Sequence, residues 1–242
     1  MDQTRDNLAL GDVPWGTPAM ALLAHAKHLV PRTAAIVMLH HSEREQLREV
    51  KDLGAMPLNE RGKRTALEFG KQLPRDRSYH FFSSPLTRCR QTAEHIRDGV
   101  KQQGAIVSDL TDLPSLVSGY VSKREYVKAL HRDGSTFIAN WVAGHYPPSF
   151  LEPTQSIAQR TAAEMLERLQ SAEPNATLIC VSHDQQVTFY LFHWAGILNT
   201  ESYIKFLDGF ILQSVANQLI VYHKNGIKEF IPPHWWKSEE RQ

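Results

Sequence analysis

The sequence has almost no net charge, only two cysteines and no long uninterrupted apolar segment, and each shortage removes a class of function. Lys and Arg total 27 against 26 for Asp and Glu. No broad positive field is therefore available to grip nucleic acid or an anionic membrane, and any anion must be held by a few local groups. Cys89 and Cys180 lack the spacing of a zinc site or a redox pair. Each falls inside an apparently regular element, which predicts buried free thiols. The apolar stretch Ala19 to Val30 is interrupted by His25, Lys27 and His28 and is too short to span a bilayer. No basic start leads into an apolar run with a small-residue cleavage site, so a secretory leader is not expected and the default location is the cytoplasm. Internal repeats and low-complexity tracts are also missing.

What remains is an ordinary globular composition, 42% hydrophobic and 22% charged over 242 residues, which fits one domain with an inserted subregion better than two separate domains. Residues 1–33 read as an N-terminal extension. Ala34 to Leu39 is short, apolar and rich in β-branched residues, as a strand covered on both faces would be. Asn59 is placed to cap a helix over Arg61 to Leu73, where Ala66, Leu67, Phe69, Gly70 and Leu73 fall at helical spacing. A second strand at Tyr79 to Phe82, a Ser83-Ser84-Pro85 turn and a helix from Leu86 to Val100 repeat the pattern. A third, weaker strand is read at Ala105 to Val107.

Residues 110–153 lose periodicity and are punctuated by Gly119, Gly134, Gly144 and Pro147-Pro148, which predicts an inserted cap over the site, with His145 to Pro148 as a loop that reaches substrate. Thr154 to Leu169 returns to helical spacing, and Ala176 to Val181 is a buried-type strand leading into an apolar helix that ends near Ala195. Two further strands, Gly209 to Val215 and Leu219 to His223, are joined tightly through Ala216 to Gln218, with a turn at Asn225-Gly226 and a packing role for Trp235-Trp236. Strands alternating with helices imply a three-layer α/β/α sandwich around a mostly parallel sheet.

Ligands of such sheets sit beyond the carboxyl ends of the strands, where loops and helix N-termini converge. Three polar clusters follow three of the strands: His40-His41-Ser42-Glu43-Arg44, Ser83 to Arg88, and Ser182-His183-Asp184. Topology alone would bring together histidines, two arginines and an acid, a set suited to a phosphoryl group. A metal site built on His40, His41, His183 and Asp184 is disfavoured, because no His-x-x-His or Glu-x-x-His spacing supports it and two arginines would repel a cation.

At these residues the sequence resembles the histidine phosphatase superfamily, the phosphoglycerate-mutase-like and acid-phosphatase-like enzymes. Leu39 to Arg44 is similar to the family's Arg-His-Gly signature, and Pro57-Leu58-Asn59 through Gly70 to its Pro-Leu-Thr-x-x-Gly helix. Ser83 to Ala93 (SSPLTRCRQTA) is close to its second motif, and Val181 to Asp184 to the motif holding its second histidine. The resemblance implies a nucleophile at His41, charge-offsetting groups at Arg44, Arg88 and His183, a phosphohistidine intermediate, and a small phosphorylated substrate, with no cofactor. It implies a proton donor at Asp184, as in the acid-phosphatase branch, with Asp112 the alternative on the mutase-like pattern.

Two positions depart from the family. His40 stands where an arginine contacts phosphate, which predicts weaker phosphate affinity because imidazole titrates near roughly 6.5. Ser42 stands where glycine is usual and offers a hydroxyl that could face the ligand. The alternative that follows is a catalytically weakened relative that binds a phosphorylated ligand or a protein partner. Oligomeric state leaves no trace in the sequence.

Overall fold

The computed structural model describes residues 10–46, 54–117, 121–198, 204–216 and 218–236. The first part of the expected extension, Gly119 within the expected cap, and Asn217 in the expected connection from Ala216 to Gln218 lie outside the described residues.

Among the described residues seven strands form one sheet: β1 (Ala35–His40), β2 (Ser78–Ser83), β3 (Val107–Asp112), β4 (Ala176–Ser182), β5 (Gly209–Val215), β6 (Gln218–His223) and β7 (Gly226–Phe230). Their spatial order is β3-β2-β4-β1-β5-β6-β7. The first four run parallel, and β5, β6 and β7 continue antiparallel. Every residue of β1 and β4 is buried, which is why these strands read as continuous apolar runs rather than alternations.

Helices cover both faces. Val37, Leu39, Ile179 and Val181 point to the side of α1 (Gly16–Ala26), α2 (Glu60–Gln72) and α3 (Thr87–Gln102). Ile36, Met38, Leu178 and Cys180 point to the side of α6 (Thr154–Ser171) and α7 (Asp184–Ala195). This is the three-layer arrangement implied by the strand and helix alternation. Trp236 packs edge-on against Trp194 in the second layer, and both cysteines are buried and unpaired.

Asn59 caps α2 by accepting from the Gly62 N–H at 2.7 Å, offsetting one orphan donor of the first turn. α2 and α3 then cross with almost no side chain between them. A Cβ on Gly70 would lie 2.1 Å from the Ile96 carbonyl oxygen, and one on Gly99 would lie 2.2 Å from that of Leu67. The contact fixes how α3 presents its first turn to the strand ends.

The structure moves several boundaries. β3 is longer than expected and shifted toward the C-terminus, so residues 110–112 belong to the sheet and not to an insertion. The expected cap contains two helices, α4 (Lys123–Asp133) and α5 (Phe137–Val142), joined by a 3-10 turn at Gly134–Thr136. Their period is faint because only Ala129 in α4, and Phe137 and Trp141 in α5, are buried. The turn at Asn225-Gly226 opens the edge strand β7, whose three central residues are exposed and carry no apolar alternation. No helix among the described residues is long and apolar enough to cross a membrane.

Candidate active site

β1 and β4 pair in register up to His40 opposite Ser182, so the chain leaves both strands at the same height. The His41 N–H donates to the Ser182 carbonyl at 3.0 Å, and the Ser84 N–H to that of Val181 at 2.9 Å. Three strand ends are thereby laced together before any side chain is considered. His183 follows β4 as the N-cap of α7, and Arg88 is the second residue of α3.

Arg88 is the hub. Its Nε donates to His41 Nε2 at 3.0 Å, and its Nη2 lies 3.1 Å from His183 Nδ1. Guanidinium has donors and no acceptor, so both of those ring nitrogens must present lone pairs. His41 accordingly keeps its hydrogen on Nδ1, which donates to the Ser42 carbonyl at 2.7 Å. His183 keeps its hydrogen on Nε2, directed at Ser84 Oγ at 3.0 Å. Hydrogen-bond chemistry thus assigns one tautomer to each ring.

These groups are nearly sealed: His41 is 3% exposed, His183 6%, and Arg88 and His40 7% each. Burial holds the pKa of His41 well below the ordinary imidazole range, and the neighbouring His40, His183 and Arg88 lower it further. His183 is likewise held well below, by burial and then by Arg88 and His40. Both rings are therefore neutral at physiological pH, and the lone pair of His41 Nε2 accepts from Arg88 Nε–H in the resting site. Burial also lowers Arg88, which stays a cation because guanidinium starts so high.

His40 lies beside this group, its ring centroid 4.3 Å from that of His41 and its Nε2 3.3 Å from His41 Nε2. Its Nδ1 is 2.9 Å from the Lys205 carbonyl, and the Phe206 ring packs against both His40 and His41 at 5.3 and 5.9 Å. Asp184 opens α7, half-buried, with Oδ1 accepting from the Gln185 N–H at 2.9 Å. Its charge reaches His40 and Arg88, favouring the protonated form of each.

Other expected site residues are placed differently. The Ser42 hydroxyl turns away from the histidines and donates to the Gly62 carbonyl at 2.8 Å, with Thr65 Oγ1 at 3.1 Å. The expectation that it faces a ligand is corrected: the hydroxyl staples the β1 exit to α2. The Asp112 carboxylate is paired with Arg90 and accepts from Ser83 Oγ at 3.3 Å. Arg44 is half-buried at the rim, donating to the Glu45 carbonyl at 3.0 Å and Met56 Sδ at 3.1 Å, with its charge felt at Arg88.

Sequence reasoning missed several groups. Ser84 stood in the Ser-Ser-Pro turn and could have been singled out as a histidine partner. Lys205 and Phe206 carried no local signal, since only the β5–β1 pairing brings them to His40. Cys89, with Sγ 3.6 Å from His183 Nε2, is an inert thiol whose pKa burial pushes up to about 12. No group of three His, Cys, Asp or Glu side chains among the described residues is arranged to hold a metal ion.

The model of the histidine phosphatase superfamily (branch 1) matches residues 36–206. No curated protein matches the chain. Among solved structures, YhfR from Bacillus stearothermophilus is similar at TM-score 0.57 and 17% identity, covering 81% of this chain and 98% of its own. A mycobacterial glucosyl-3-phosphoglycerate phosphatase is similar at TM-score 0.56 and 16% identity, covering 84% and 99%. A phosphoglycerate mutase from Bacillus anthracis str. Sterne is similar at 0.52 and 13%, covering 83% and 93%. At these identities the likeness is one of fold.

Proposed function

The chain belongs to the histidine phosphatase superfamily, branch 1, and on that premise we propose that it is a metal-independent phosphomonoesterase acting through a phosphohistidine on His41. The observation that carries this reading is the tautomer of His41. Its Nδ1–H is committed to the Ser42 carbonyl at 2.7 Å, which puts the lone pair on Nε2, the nucleophile once an entering phosphoryl group draws the Arg88 Nε–H to its own oxygens.

In the first step that lone pair attacks phosphorus as the ester P–O bond breaks opposite it. Arg88 is assigned to the non-bridging oxygens, His183 joins it by turning its Nε2–H from Ser84 Oγ to one of them, and Arg44 adds positive charge from the rim. Asp184 relays to the departing alkoxide the proton that the phosphomonoester monoanion brings into the site. Its carboxylate then takes a proton from water as the water oxygen attacks phosphorus and the N–P bond breaks, returning His41 and releasing phosphate. Asp184 is preferred over Asp112 because the latter is engaged by Arg90. The substrate class we assign is a small phosphorylated metabolite of the cytoplasm.

The test is turnover of p-nitrophenyl phosphate and of an alkyl phosphate in the presence of EDTA, with an acid-labile, alkali-stable phosphoprotein trapped on rapid quenching. His41→Ala should abolish turnover and trapping alike. Turnover that survives in His41→Ala would remove the phosphohistidine route. A second reading, a phosphate-ligand binder with little turnover, is favoured by His40 in the arginine position. It would be supported by inorganic phosphate binding to a protein that turns over neither substrate.

A further inference from the structure

His40 leaves the site one proton short. Arg88 and the Ser42 carbonyl together place a lone pair on His41 Nε2, at 3.0 and 2.7 Å respectively. The Lys205 carbonyl, 2.9 Å from His40 Nδ1, needs a hydrogen there, so neutral His40 also presents a lone pair on Nε2. The two Nε2 atoms lie 3.3 Å apart with no hydrogen between them, the Arg88 Nε–H serving His41 alone. The loop that imposes this is held firmly. Leu207 adopts φ +55°, a left-handed conformation costly for leucine, and its N–H lies 3.2 Å from the His40 carbonyl and 3.4 Å from that of His41.

Geometry also says which oxygen His40 can meet. In an in-line displacement the leaving oxygen lies across phosphorus from the nucleophile. A nitrogen only 3.3 Å from the nucleophilic nitrogen reaches the non-bridging oxygens and not the leaving one. A neutral His40 would turn a lone pair toward an oxyanion lone pair and repel it. An imidazolium would donate to it.

We infer that an oxyanion binds together with a proton: His40, neutral before binding, becomes an imidazolium as the anion enters and donates Nε2–H to a non-bridging oxygen. The proton comes from solvent. His40 thereby does conditionally what an arginine at that position would do at every pH. This deepens the proposed function and rests on its assumption that the site receives a phosphoryl-like group.

The groups around His40 account for the condition. Burial and the Arg88 charge oppose a second cation, as would any charge on His41 or His183, and Arg44 adds to the positive rim. Asp184, the Lys205 carbonyl and the face of Phe206, with its centroid 5.3 Å from that of His40, favour the cation. Asp208, whose backbone carbonyl accepts from the His40 N–H, is offset by Lys224 at 3.1 Å. The opposing set prevails until a dianion arrives, whose two negative charges offset Arg88 and protonated His40 together.

Sulfate is the probe, because it is a dianion throughout the range used. Titration calorimetry at pH 8 in two buffers of different ionisation enthalpy should report uptake of about one proton per sulfate, with affinity falling toward tenfold per pH unit as pH rises. His40→Arg should bind sulfate more tightly at pH 8, with uptake abolished and affinity nearly flat between about pH 6 and 9. His40→Gln, close in size and unable to titrate, should bind weakly without uptake, and it guards against a folding defect in the arginine variant. Sulfate binding by the wild type without proton uptake overturns the inference. So does uptake that persists in both variants, or failure of the wild type to bind sulfate anywhere from about pH 5 to 9. Proton-linked sulfate binding by a protein that forms no phosphohistidine would instead overturn the enzymatic reading and leave this inference standing.

Discussion

At the scale of single residues, two side chains that look alike in sequence have different surroundings. Asp112 is 35% exposed and bound to Arg90, so Asp112→Asn should remove about 0–1 kcal/mol of stability and change kcat less than about threefold. Asp184→Asn should lower kcat/KM, which reports formation of the phosphohistidine, by about 10² to 10⁴ on an alkyl phosphate and far less on p-nitrophenyl phosphate, since nitrophenolate leaves without a proton. Equal losses on the two substrates would refute Asp184 as the donor. Ser42→Ala tests the opposite kind of role. Its hydroxyl serves the Gly62 carbonyl at 2.8 Å and Thr65 at 3.1 Å, so its loss should cost about 1–2 kcal/mol in urea unfolding with KM unchanged. A raised KM at full stability would return Ser42 to the ligand. The position of these residues after strand ends was legible because it is a matter of chain adjacency. Their direction was not, because it is set by partners on α2 and α3.

At the scale of elements, the α2–α3 crossing governs Arg88, since α3 carries it on its first turn. Alanine normally stabilises a helix relative to glycine by about 1 kcal/mol. At Gly99 the sign should reverse, because the new Cβ would meet the Leu67 carbonyl oxygen at 2.2 Å and neither backbone can yield cheaply. Gly99→Ala should cost about 1–3 kcal/mol and raise KM as α3 shifts away from β4, measurable by denaturant midpoint and steady-state assay. A stabilised variant would mean that the crossing is looser than its geometry requires. The elements around this crossing were readable from their caps and apolar spacing, as at Asn59. The helices of the expected cap and the edge strand β7 were not, because each buries too little of its surface to impose a period.

At the scale of the whole molecule, three buried imidazoles couple the site to acid stability. Burial lowers the proton affinity of His41 and His183 strongly and that of His40 in the same direction. The unfolded chain therefore takes up protons below about pH 6.5 that the folded chain refuses, and stability rises with pH through that range. At pH 5.5 the fold should be less stable than at pH 7.5, with His41 and His183 each costing up to about 1 kcal/mol, a fall visible in the urea midpoint. Sulfate should oppose the part due to His40. A midpoint equal at the two pH values would mean that the rings are already charged in the fold. The sequence by itself determined the alternation of β1 to β6 with α2, α3, α6 and α7 and the three polar clusters at strand ends, because apolar runs, caps and turns act over a few neighbouring residues. Only the tertiary structure decided which nitrogen of each histidine holds its hydrogen, since that depends on groups far along the chain. The Lys205 carbonyl, 165 residues from His40, reaches it only because β5 lies against β1.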